Sequence, residues 1–105
     1  MIKKKFLKNK CNVTFELPES LAQGAESVHL VGDFNNWDER ATPMARKRGG
    51  TFSVSLDVDS NREYQYRYLI NGRDWHSDKE ADKYTPNPFG GENSVVTTYQ
   101  TAKVR

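Results

Sequence analysis

Strict alternation of apolar and polar residues over residues 51–58 constrains this chain more than any other feature. Phe52, Val54, Leu56 and Val58 fall on one side, and Thr51, Ser53, Ser55 and Asp57 on the other. A period of two belongs to an extended strand with one buried face. Residues 64–70 repeat the pattern with Tyr64, Tyr66, Tyr68 and Ile70. Residues 12–17 predict a third half-buried strand, closed by Pro18. Residues 27–32 give a fourth, apolar on both faces near its end, which predicts a central position in its sheet. Residues 94–99 are rich in β-branched side chains and read as the last strand.

Turn chemistry separates these runs. Gly49-Gly50 precedes one strand, Asp59-Ser60-Asn61 follows it, and Asn71-Gly72 is the strongest hairpin signal in the chain. No window keeps a helical period, and residues 79–84 offer a single turn at most. Short strands with a turn every ten residues or so predict an all-β sandwich or barrel. With 105 residues the chain has the length of one domain. Twelve aromatics (five Phe, five Tyr, two Trp) supply the buried area that a lean apolar content of 35% would otherwise lack.

Several function classes fall away. No apolar run reaches the roughly 18 residues of a membrane helix, and no hydrophobic stretch follows the basic start to make a secretory leader. The single Cys11 excludes an internal disulfide and a cysteine-built zinc site. An intracellular, reduced, soluble setting is expected. A net charge of +2, from 16 basic and 14 acidic residues, argues against a dedicated nucleic-acid binder.

An enzyme needs a nucleophile with its base, a carboxylate pair or a metal. The two histidines, His29 and His76, lie far apart and in no motif, and His29 reads as a hydrogen-bonded structural residue within a strand. Asp78, Glu80 and Asp82 begin the oxygen spacing of a calcium loop. The glycine at the sixth position and the glutamate at the twelfth are missing. No glycine-rich phosphate cradle is present. No catalytic residue, metal or cofactor is expected.

Aromatic and polar residues in loops remain. Residues 32–38, Gly-Asp-Phe-Asn-Asn-Trp-Asp, are too rich in short polar side chains to continue a strand, so Trp37 is either a lid over the core or a binding platform. Residues 84–93 hold two prolines and two glycines, which predicts an irregular path. If Tyr64, Tyr66, Tyr68 and Ile70 face the core, then Gln65, Arg67 and Leu69 face outward. A two-residue turn at Asn71-Gly72 would set Trp75 opposite Tyr68 on the core face. A three-residue turn including Arg73 would set it opposite Leu69, beside Arg67, on the outer face. The sequence leaves both registers open. Flat aromatics, a cationic fork and an amide on one outer face suit a neutral, hydroxyl-rich ligand. The C–H face of a sugar stacks on indole, and its hydroxyls pair with Arg and Asn.

Residues 28–37 (Val-His-Leu-Val-Gly-Asp-Phe-Asn-Asn-Trp), Thr42-Pro43-Met44, residues 64–72 and Asn93-Ser94-Val95-Val96 together resemble a known family. They are similar to the glycogen-binding module of the AMP-activated protein kinase β subunit. They are also similar to the early-set N-terminal domains of isoamylases and glycogen-branching enzymes, the family 48 carbohydrate-binding modules. The resemblance covers residues 12–100. It implies an immunoglobulin-like (early-set) β-sandwich of about seven short antiparallel strands that binds α-1,4-linked glucan without catalysis. By position it makes Trp37 and Trp75 the stacking tryptophans, and Arg67 the equivalent of a hydroxyl-binding lysine. Phe89 falls where a leucine wedges into the curved glucan, and Asn93 at a ligand-binding asparagine. Gly91 departs from a threonine, the turn before Trp75 is one residue longer, and Arg for Lys changes the hydrogen-bond geometry.

The expected organisation is a basic, frayed arm over residues 1–11, the sandwich over residues 12–101 and a tail at 102–105. The expected function is non-catalytic binding of a glycogen- or starch-like polysaccharide or maltooligosaccharide in the cytoplasm, beside a separate glycogen-metabolising enzyme, with no nucleic acid and no membrane. The alternative is a protein-interaction module of the same fold that has lost the sugar.

Overall fold

The computed structural model describes residues 2–22, 24–88 and 90–99. Nine strands are found among them. One sheet has the order β1 (Ile2–Phe6), β2 (Lys10–Leu17), β5 (Phe52–Asp59) and the short β4 (Ala45–Arg46). The other has the order β3 (Val28–Gly32), β6 (Glu63–Ile70), β9 (Glu92–Thr97) and β8 (Lys83–Pro86), with β7 (Asp74–His76) also pairing with β6. All pairings are antiparallel. The result is an all-β sandwich, one of the two architectures that the alternating pattern allowed, in the immunoglobulin-like form that the family resemblance implied. No helix of the described residues is long and apolar enough to cross a membrane.

The inner faces follow the period of two. Cys11, Val13, Phe15 and Leu17 of β2 are fully buried, and each pairs with an inward residue of β5, from Val58 to Phe52. Tyr66 and Tyr68 of β6 are fully buried opposite them, and Phe15 meets Tyr66 edge-on at 4.9 Å between ring centroids. Both tyrosine hydroxyls donate to Oδ2 of the buried Asp78, at 2.8 Å and 3.1 Å. Burial first pushes both phenols far above their ordinary range, with Asp78 adding to it for both and the neighbouring Tyr68 adding for Tyr66, so they stay protonated.

Three expectations need correction. Residues 2–6, expected to fray, form an edge strand paired from Ile2↔Phe15 to Phe6↔Cys11. Lys4 of that strand reaches Asp82 at 2.7 Å, a charged side chain on an edge that discourages further pairing. The tail at 102–105 lies outside the described residues. β3 is not central: it ends its sheet, and its apolar character is explained by the chain that covers its free edge, where Leu30 N–H donates to Thr42 C=O and Met44 N–H to Val28 C=O. The stretch at 79–84 holds no helix, and the path from Tyr84 begins as β8, whose Pro86 sits on an edge where no ladder hydrogen bond is lost.

Candidate functional site

The outer face of the second sheet carries Gln65, Arg67 and Leu69 in phase along β6. Register places Leu69 opposite Trp75, Arg67 opposite Val31 and Gln65 opposite Val95. The hairpin from β6 to β7 therefore uses the three-residue connection Asn71–Arg73. Asn71 and Gly72 both have positive φ, and Arg73 N–H closes the turn on Ile70 C=O at 3.1 Å. Asn and Gly are the residues that tolerate this conformation. Trp75 consequently stands outward, 38% exposed, with the Arg67 guanidinium carbon 5.9 Å from its ring centroid. Nε of Arg67 is buried and has no hydrogen-bond partner among the described residues.

Trp37 comes from the other side. After β3 the chain makes one turn of 3-10 helix, Asp33–Asn35, and then places both Asn36 and Trp37 in the left-handed region at φ 58. For a residue as large as Trp this costs about 1–2 kcal/mol. The loop compensates with hydrogen bonds. Trp37 N–H donates to Gly32 C=O at 2.9 Å, and Asn35 Nδ2 donates to Leu30 C=O and Thr42 Oγ1, both at 2.9 Å. Gly32 is required by close approach: a Cβ there would meet Gln65 O and lie 2.8 Å from Tyr66 Cβ. Phe34, not Trp37, turns inward to the core, 5.5 Å from the Phe15 ring. Trp37 is half-buried, and its Nε1–H donates to Asp33 Oδ1 at 2.9 Å.

The floor is a relay of amides. Asn87 Nδ2 donates to Asn93 Oδ1 at 2.8 Å, and Asn93 Nδ2 donates to Gln65 Oε1 at 2.9 Å. Asn93 is only 6% exposed. Gly91, at φ +72, lies close to the Arg67 guanidinium, so a side chain there would be strained by the backbone itself.

These groups line one open groove of about 630 Å³, formed by Trp37, Glu39, Gln65, Arg67, Trp75, Asn87, Pro88 and Asn93. Four of the five residues singled out in the sequence, Trp37, Arg67, Trp75 and Asn93, thus come together. The fifth, Phe89, lies outside the described residues. Gln65, Asn87, Glu39 and the positioning Asp33 were not singled out. Gln65 shares the outward phase of Arg67, which is the signal that would have found it.

Other sequence candidates go elsewhere. His29 is half-buried, but its Nδ1 has no partner among the described residues, so the hydrogen-bonded role expected for it is not met at that atom. Its backbone pairs with Leu69 on one side and bridges to Pro43 on the other. Asp78 serves the core tyrosines and Asp82 holds Lys4 and the Thr97 N–H. No group of three or more potential metal ligands gathers among the described residues.

Comparison with known proteins agrees with the fold. Residues 13–90 match the family Carbohydrate-binding module 48 (Isoamylase N-terminal domain). Among curated proteins, the chain is similar to 1,4-alpha-glucan branching enzymes GlgB. Identity is 37% over 70 residues with that of Aquifex aeolicus, covering 65% of this chain and 10% of the relative. It is 35% over 63 residues with that of Thermosynechococcus vestitus and 32% over 63 residues with that of Prochlorococcus marinus (strain MIT 9301), each covering 60% of this chain and 8% of the relative. The matched part is thus a tenth or less of these relatives' length.

Proposed function

The chain belongs to carbohydrate-binding module family 48, the isoamylase N-terminal domain, and on that premise we propose that it binds α-1,4-linked glucan, without catalysis, in the groove between Trp37 and Trp75. The carrying observation is the convergence of two tryptophans, one guanidinium and a chain of amides on a single open surface. Stacking on Trp75 and Trp37 accommodates the apolar faces of successive glucose units. Arg67 donates to ring hydroxyls in a fork, while Gln65 and Asn87, ordered through Asn93, both donate and accept. Phe89 is assigned the wedging contact that the family resemblance gives it. One cation, Arg67, and one anion, Glu39, leave the groove electrically balanced, which favours a neutral ligand over a charged one. A groove this open encloses little of its ligand, so the binding is weak and suited to a polymer that offers many sites.

The biological reading is recruitment in the cytoplasm: the module holds a glycogen-like polymer for a glycogen-metabolising enzyme. That the similar proteins are 1,4-alpha-glucan branching enzymes supports the glucan class of ligand.

Co-sedimentation tests this reading. The chain pellets with glycogen and not with cellulose, equally at about 50 mM and 500 mM salt, because stacking on a neutral sugar releases no counterions. Absence from the glycogen pellet at both salts contradicts the reading and leaves the groove to a protein partner.

A further inference from the structure

Tyr99 is the most exposed large aromatic of the described residues, with 46% of its surface open. Its ring is held in place: the hydroxyl donates to Glu63 Oε2 at 3.2 Å, and the same oxygen accepts Lys83 Nζ at 2.8 Å. Glu63 has the outward phase of Gln65 and Arg67 along β6. Lys83 pairs with Val95, which pairs with Gln65. Directly opposed residues share a sheet face, so Glu63 and Lys83 lie on the face that carries the groove. Two residues of strand separate Glu63 from Gln65, about 7 Å. Val95 lies between Gln65 and Lys83 on that face and is only 3% exposed.

An anchored aromatic beside a matched charge pair, one step along the strand from the groove, has the parts of a further sugar subsite. We propose that Tyr99, with Glu63 and Lys83, binds the continuation of an α-glucan chain too long for the groove. The apolar face of a glucose unit lies on the Tyr99 ring, the Glu63 carboxylate accepts from its hydroxyls and the Lys83 ammonium donates to them. The pair is net neutral, so it selects a hydroxylated chain and not a charged one. This inference rests on the glucan reading of the groove and adds chain-length selectivity to it.

Isothermal titration of the whole chain with three probes, β-cyclodextrin, maltotriose and maltoheptaose, tests it. In Tyr99→Ala the maltoheptaose Kd rises roughly three- to ten-fold, while the β-cyclodextrin and maltotriose Kd values stay within two-fold of wild type. Tyr99→Phe, which keeps the ring, retains most of the maltoheptaose affinity. An unchanged maltoheptaose Kd in Tyr99→Ala overturns the subsite, as does an equal loss with all three probes. Failure of the wild type to bind any of the three overturns the glucan reading itself, and that outcome is distinct from either of the others. Tyr99 is half-exposed, and an unaltered melting temperature of Tyr99→Ala confirms that the comparison is between folded proteins.

Discussion

The carboxylate of Asp33 fastens Trp37 to the sheet: Oδ1 accepts the indole N–H at 2.9 Å while Oδ2 accepts the Gln65 backbone N–H at 2.7 Å. One short side chain thereby sets the distance between an aromatic in a loop and the strand that carries Gln65 and Arg67. The left-handed φ of Trp37 makes this link consequential, since an unanchored tryptophan would relax towards an ordinary conformation. Asp33→Ala therefore weakens β-cyclodextrin binding roughly ten-fold, about 1.4 kcal/mol, although Asp33 itself need not touch the sugar. Asp33→Asn keeps one acceptor and falls between the two. Titration calorimetry on the three proteins checks the order, and equal affinities would show that Trp37 is placed by packing alone.

Trp75 stands on the outer face with the three-residue turn behind it, so its removal separates binding from folding. Trp75→Ala abolishes measurable β-cyclodextrin binding and costs no more than about 2 kcal/mol of stability. Urea unfolding supplies the second number. A loss well beyond that value would mean that Trp75 helps to hold the sandwich together and is not mainly a binding surface.

Alkaline pH probes the core beneath the site. Tyr66 and Tyr68 have phenol pKa values raised above the ordinary value near 10, by burial and by Asp78. The folded form keeps both protons where the unfolded chain releases them. Their contribution is therefore fully present below about pH 10 and is lost as pH rises beyond it, by roughly 1.4 kcal/mol per pH unit for each tyrosine. Tyr64, also raised by burial, adds in the same direction. Urea midpoints measured from pH 8 to pH 11 should fall steeply at the upper end, and Tyr68→Phe should flatten that fall. A midpoint constant to pH 11 would contradict the buried tyrosine network.

The alternating runs made the sandwich legible because a buried face leaves its period in the sequence: β2, β5 and β6 sit where the pattern put them. What was not legible depends on pairing and not on period. β1 is rich in lysine and gives no apolar alternation, yet its backbone completes the edge of β2 and Lys4 finds Asp82 from 78 residues away in the chain. The phase of β6 gave Arg67 its outward direction, but the side on which Trp75 fell turned on one residue of turn length, which sequence could not choose. Asp33 and Asn87 act through hydrogen bonds to Gln65 and Asn93, partners brought near only by the fold.

The most direct test of the account is a titration of the chain with β-cyclodextrin, followed by intrinsic tryptophan fluorescence. Trp37 and Trp75 are its only tryptophans and both line the groove. The account predicts a saturable change with a Kd between micromolar and millimolar, roughly −8 to −4 kcal/mol, and none with a β-linked glucan of similar size. A flat signal through several millimolar β-cyclodextrin, from a chain that still unfolds cooperatively, would contradict it.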